Sequence, residues 1–264
     1  PLYGPDATLV GGEAKYYPCL FDHEFIPQVA DLEALVDDRT VAILYNFPSN
    51  PTGGTLNEQQ RDDLLAFAAK HDLWIISDEV YDRIVFETEH VSFMGTGYDK
   101  LMVVNSFSKT FAMTGWRIGY IVSTNLEAMK QVVKVQYYIS ACSNDAMQYA
   151  VLEAMEKAND YPSMMATEFQ KRCKLIVDRL NAMPGVQCHQ PKGSIYVFPK
   201  VDVPGMSSED VALELLKDGV LCSPGSAFGP SGEGHLRFAY TIGQDDIVRG
   251  MDKVEATLTR LQQG

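Results

Sequence analysis

Four short apolar runs constrain the fold of this chain more than any other feature. Residues 41–45, 73–76, 101–104 and 118–122 are each brief, continuous and rich in β-branched side chains. Runs of this length and composition read as strands buried on both faces, as in a sheet covered by helices. Between the first two, Thr55 and Glu58 have capping-box spacing, and Leu64, Leu65 and Ala68 mark the apolar face of a helix. The order strand, helix, strand predicts an α/β domain with a mostly parallel sheet sandwiched by helices.

The last third of the chain changes character. A helix over 169–183 is closed by Pro184-Gly185, and a strand-like stretch follows at 194–198. A helix over 208–217 has Gly219 just past its end, and another strand-like run covers 235–240. In the final helix Ile247, Met251, Val254, Leu258 and Leu261 share one face. These elements predict a smaller α+β domain. The division is expected near Tyr161-Pro162, giving a large domain over 1–161 and a small one over 162–264.

Charge and cysteine usage narrow the function. A formal charge of -13 disfavours a nucleic-acid or anionic-membrane surface, because few phosphate counterions could be released. Cys19, Cys142, Cys173, Cys188 and Cys222 are scattered, odd in number and without a C-x-x-C pair. A disulfide framework or zinc site is not expected, and a reducing cytoplasm fits better. The histidines show no metal-ligand spacing. No apolar run is long enough to span a bilayer, and no signal-peptide pattern opens the chain. The opening at Pro1 reads like mid-protein sequence, so an upstream extension on the order of 100 residues is expected.

Ligand groups in open α/β sheets gather at the carboxyl ends of strands. The first run leads into Asn46-Phe47-Pro48-Ser49-Asn50-Pro51-Thr52-Gly53, and the second into Ser77-Asp78-Glu79-Val80-Tyr81. The third leads into Asn105-Ser106-Phe107-Ser108-Lys109, and Arg117 follows in a glycine-containing stretch. This set makes sense around one cofactor. A lysine amine forms a Schiff base with an aldehyde. A carboxylate beside a pyridine nitrogen keeps it protonated, so the ring accepts electrons. Arginine and a serine hydroxyl hold a phosphate.

The stretch Ser106-Phe107-Ser108-Lys109-Thr110-Phe111-Ala112-Met113-Thr114-Gly115-Trp116-Arg117-Ile118-Gly119 resembles the lysine-site signature of class I/II aminotransferases of fold type I. Asn50-Pro51-Thr52-Gly53, Asp78-Glu79-Val80-Tyr81 and His235-Leu236-Arg237-Phe238 are similar to companion motifs of that family, in the same order. The resemblance implies pyridoxal 5'-phosphate as cofactor, with Lys109 as Schiff-base lysine and proton shuttle. It implies that Asp78 pairs with the pyridine nitrogen, and that Tyr81 and Asn50 hydrogen-bond the ring hydroxyl oxygen. Ser106 and Arg117 would hold the phosphate, and Arg237 and Asn50 would line the substrate site, Arg237 gripping the α-carboxylate. It further implies amino-acid and 2-oxo-acid substrates, ping-pong transfer, and a homodimer with sites at the interface. Two elements of the family pattern, a phosphate loop and an aromatic stacked on the cofactor ring, have no counterpart in this sequence. No arginine occurs between Arg117 and Arg172, which argues against one second-carboxylate clamp used by some aspartate enzymes of the family.

Taken singly, these residues have plainer readings. Lys109 alone is a surface lysine, Asp78 a helix cap, Asn50-Pro51-Thr52-Gly53 a turn, and Arg237 an exposed strand charge. The motifs in order override those readings. Pro191-Lys192-Gly193-Ser194 stays open between a turn near the site and a strand entry, and the chemistry of Ser223-Pro224-Gly225-Ser226 stays open too. Two alternatives to an aminotransferase remain. One is β-elimination on the same scaffold, and the other is the aminotransferase-like sensing domain of a transcription regulator, which this acidic chain does not favour.

Overall fold

The computed structural model describes residues 2–263. Along the chain, helices α1 (Tyr3–Leu9) and α2 (Val29–Leu35) precede strand β1 (Ala42–Asn46), helix α3 (Glu58–Lys70), and strands β2 (Trp74–Asp78) and β3 (Leu101–Ser106). The one-turn helix α4 (Phe107–Thr110), strand β4 (Gly119–Val122) and helices α5 (Leu126–Ser140), α6 (Asp145–Lys157) and α7 (Tyr161–Asn181) follow. Short strands β5 (Val186–Gln187), β6 (Tyr196–Val197) and β7 (Lys200–Val201) lead to helix α8 (Ser208–Lys217). Strands β8 (Ser223–Pro224) and β9 (Leu236–Ala239) and helix α9 (Gln244–Gln263) complete the order.

Packing divides these elements into two compact units. One comprises Val36–Ser49 and Thr55–Thr167. Its sheet has the order β1-β2-β3-β4, with β1, β2 and β3 parallel and β4 antiparallel to β3. The register sets Asn46 beside Asp78 and Asp78 beside Val104, so three strands end together. Helix α3 buries Leu64, Phe67 and Ala68. Beside the strands, Tyr45 is fully buried and stacks on Phe93 with centroids 5.3 Å apart.

Two expectations need correction in this unit. The capping box of α3 lies two residues later than the Thr55/Glu58 spacing suggests. Asn57 Oδ1 accepts from the Gln60 N–H at 2.8 Å, and Gln60 Oε1 accepts from the Asn57 N–H at 2.9 Å. Asn57 is extended, as a cap must be, and its side-chain oxygen reaches the third N–H directly. The strands are also not buried on both faces. Ile43, Tyr45, Ile75, Ser77, Leu101, Val103 and Asn105 are buried, whereas the intervening residues are half-buried and all of β4 is exposed. Strand β4 pairs with β3 alone in this sheet, and continuous apolar sequence cannot distinguish an edge strand from a central one.

The other unit gathers the chain up to Leu35, the loop Asn50–Gly54 and the chain from Glu168 onward. Strands β6, β9 and β8 form an antiparallel sheet, with β9 central. Helix α9 buries Ile247, Met251, Val254, Thr257 and Leu258, the face expected from its period. Helix α8 starts at a Ser207/Asp210 capping box. This partition differs from the sequence division at 161/162: the change of unit falls after Thr167, within α7, and residues before Leu35 belong with the C-terminal elements. The physical reason is long-range aromatic packing. Phe21 stacks on His189 at 4.0 Å, and Phe25 meets Phe198 and His235, each at 5.6 Å. No helix among the described residues is long and apolar enough to cross a membrane.

Candidate active site

In the parallel-sheet unit, chemistry collects where β2 and β3 end. Asp78 closes β2 with its carbonyl accepting from the Phe47 N–H at 3.2 Å and from Asn46 Nδ2 at 3.1 Å. Its own Oδ1 accepts from the Val80 N–H at 3.2 Å. The chain then turns, with the Asp82 N–H donating to the Glu79 carbonyl at 2.9 Å and the Ile84 N–H to the Tyr81 carbonyl at 2.8 Å. The turn buries Tyr81 to 3% exposure, and Lys109 Nζ stands 5.7 Å from the centre of its ring.

Lys109 owes its place to Ser106. Ser106 ends β3 and caps α4, its Oγ accepting from the Ser108 N–H at 3.1 Å. The same Oγ donates to the Ile118 carbonyl at 3.0 Å, tying the helix start to the residue after Arg117. Arg117 is exposed and left-handed at φ 56°, with Nη1 donating to the Thr114 carbonyl at 2.9 Å. A non-glycine residue held there is conformationally costly, which is common at ligand sites. Two residues later a side chain at Gly119 would bring its Cβ within 2.6 Å of the Asn105 carbonyl, so β4 can pair closely with β3 only as glycine there.

The second unit carries a separate arrangement around Arg237 of β9. Nη1 donates to Asn50 Oδ1 at 2.9 Å and Nη2 to Ser223 Oγ at 3.0 Å. The guanidinium lies 4.4 Å from the Tyr196 ring centre and 5.0 Å from that of Phe228, a cation–π arrangement on both. Nε is buried with no hydrogen-bond partner among the described residues. An unpaired buried guanidinium N–H is costly in the free protein and ready for an anionic acceptor. Asn50 is held because the Gly53 carbonyl accepts from the Lys192 N–H at 3.0 Å and the Gly193 N–H at 3.1 Å. The Pro191-Lys192-Gly193 turn, left open by the sequence, therefore supports the Asn50 loop.

The structure thus brings Lys109 to Tyr81, joins Ser106 to Lys109 through α4, and joins Asn50 to Arg237. Sequence reasoning missed the partners that hold them. Ser223, Tyr196 and Phe228 surround Arg237, yet only Ser223 stood in a stretch with any signal. Glu79 sits inside the Asp78–Tyr81 motif and received no role. It is 2% exposed and accepts from Ser77 Oγ at 2.8 Å and the Phe93 N–H at 3.1 Å, with His90 Nε2 at 2.8 Å from its other oxygen.

Comparison with known proteins shows the family of the chain. The family described as aminotransferase class I and II matches residues 1–254. The chain is 35% identical over 262 residues to an aspartate aminotransferase of Pyrococcus abyssi, covering 97% of this chain and 67% of that protein. It is 34% identical over 262 residues to aromatic-amino-acid aminotransferase 2 of Thermococcus litoralis, with the same coverage. Among solved structures, an aromatic aminotransferase from Pyrococcus horikoshii superposes with a TM-score of 0.93 at 34% identity, covering 98% of this chain and 70% of that one. The chain spans about two thirds of the length of these relatives. Motifs, strand-end geometry and these likenesses together place the chain in the class I and II aminotransferases, a family of pyridoxal-phosphate-dependent enzymes with the fold-type-I architecture.

Proposed function

We propose that Lys109, Asp78 and Tyr81 are the catalytic residues of an enzyme that moves the amino group of an L-amino acid to a 2-oxo acid in two half-reactions. The observation that carries this reading is the placement of Lys109 Nζ over the Tyr81 ring, at the strand ends where Asp78 and Ser106 lie. The donor set suits pyridoxal 5'-phosphate: one amine, one carboxylate, one phenol, and a serine and an arginine for a phosphate. When bound, the cofactor supplies an aldehyde that condenses with amines and a ring that withdraws electrons.

Lys109 would hold the cofactor through Nζ, and the same amine would serve to move the proton at the substrate's α-carbon. Asp78 would pair with the ring nitrogen and keep a proton on it. Its Oδ1 is fixed by the Val80 N–H, so little reorganisation is needed when charge develops. Tyr81 and Asn50 would donate to the ring hydroxyl oxygen, and Ser106 and Arg117 would hold the phosphate. Arg237 would orient the substrate's α-carboxylate, with Nε among the donors still open. The two half-reactions share one carboxylate site because donor and acceptor both present that group.

The test is a single half-reaction. An L-amino acid alone should release one equivalent of 2-oxo acid per site and then stop until a second 2-oxo acid is added. Ammonia and pyruvate accumulating without an acceptor would establish elimination instead.

Arg237→Ala should weaken amino acids and 2-oxo acids alike, lowering kcat/KM by about 10²-fold or more, since a charge-assisted pair is worth a few kcal/mol when partly desolvated. Decarboxylated amines should be nearly indifferent. A variant that still discriminates amino acids from amines as well as the parent would contradict the role.

The same reading takes the protein to act as a homodimer in the cytoplasm. Support for the first is the apolar surface of α5, where Leu126, Val133, Tyr137, Tyr138 and Ile139 are exposed. Support for the second is that the five cysteines are scattered, odd in number and without a C-x-x-C pair.

A further inference from the structure

We infer that Glu79 is a positioning residue whose buried carboxylate fixes the turn between Asp78 and Tyr81. The inference rests on the roles proposed above for those two residues. Glu79 lies between them in sequence, and its backbone is committed on both sides of the turn. Its N–H donates to the Val104 carbonyl at 2.9 Å, and its carbonyl accepts from the Asp82 N–H at 2.9 Å. One strand bond therefore sets the end of β2 beside β3, and one turn bond sets the approach to Tyr81.

The side chain locks this geometry from below. Ser77 and Glu79 flank Asp78 and are each 2% exposed, whereas Asp78 is only half-buried. Oε1 of Glu79 accepts from Ser77 Oγ at 2.8 Å and from the Phe93 N–H at 3.1 Å, and Oε2 accepts from His90 Nε2 at 2.8 Å. The carboxylate thus staples the strand end to the loop at 90–93, which has no regular structure of its own. Burial alone raises the Glu79 carboxyl pKa. The hydrogen bonds from His90, Ser92 and Ser77 and the attraction to His90 outweigh burial and hold it below the ordinary carboxylate value.

Stability alone does not explain a carboxylate at this place. A buried polar cluster of this kind is often replaceable by packed apolar residues without loss of stability. Its gain is in fixed geometry, and here it fixes the two residues on either side. A displacement on the order of 1 Å in a catalytic group costs about 10²-fold in rate. Arg237 and Asn50 are held by other residues, so loss of the Glu79 anchor should fall on cofactor binding and kcat, with KM nearly unchanged.

The experiment compares Glu79→Gln, Glu79→Ala and His90→Ala with the parent. Pyridoxal 5'-phosphate affinity is read by absorbance titration, kcat and KM by steady-state kinetics, and the folded fraction by circular dichroism. Gln keeps acceptors for Ser77 and Phe93 and can donate to a His90 ring nitrogen. Glu79→Gln should therefore bind the cofactor within about threefold of the parent. Glu79→Ala should bind it at least about tenfold more weakly, with kcat reduced and KM within about twofold. His90→Ala removes one anchor and serves if Glu79→Ala does not fold; it should be affected in the same sense. Folded Ala variants that match the parent in affinity and kcat would overturn the inference, as would a Gln variant no better than Ala. A parent that takes up no cofactor would overturn the reading of Asp78 and Tyr81 and this inference together.

Discussion

Replacing Lys109 with alanine should lower transamination by about 10²- to 10⁴-fold or more, the range a positioned acid–base group contributes. The loss should be in kcat, because the substitution removes the amine that would move the α-proton. The substitution should leave the fold intact. Lys109 sits on a one-turn helix whose cap is the Ser106 side chain, and alanine is at least as good a helix former. Small exogenous amines should restore part of the rate, since they supply the missing base in the vacated space. Steady-state assays with and without added methylamine check this. An alanine variant with parental kcat would remove Lys109 from the chemistry.

Asp78→Asn should slow α-proton abstraction by about 10²- to 10³-fold, the usual cost of losing one preorganised charge contact at the reacting centre. Asparagine is nearly isosteric, and its side-chain oxygen can still accept from the Val80 N–H. The backbone clamp from Phe47 and Asn46 is also untouched. Substrate and cofactor should therefore still bind, and the defect should appear in the chemical step. Single-turnover mixing with an amino acid measures it. A rate equal to the parent's would show that Asp78 does not stabilise the developing charge.

The sequence was informative where local chemistry and chain order coincide. The strand ends at Asp78 and Ser106, the placement of Lys109 just beyond β3, and helices α8 and α9 could all be read from periodicity and motif order. It was silent where residues meet across long loops. Ser223 meets Arg237 through a hydroxyl whose chemistry the sequence left open, and Tyr196 and Phe228 carry no signal at all. His90 reaches Glu79 from a loop without period, so the pair behind Asp78 could not be foreseen. The aromatic packing of Phe21 and Phe25 on His189 and His235 decides which unit owns the start of the chain, and a linear reading of domains cannot see it. Strand β4 shows a further limit, because an apolar run reports what a strand can bury and not what covers it.

The central claim is that Lys109 carries the cofactor. Borohydride reduction of the protein loaded with pyridoxal 5'-phosphate, followed by peptide mapping, tests it most directly. The account predicts the reduced pyridoxyl group on the peptide containing Lys109 and no comparable label on any other lysine. Stable labelling of a different lysine, with Lys109 unmodified, would contradict it.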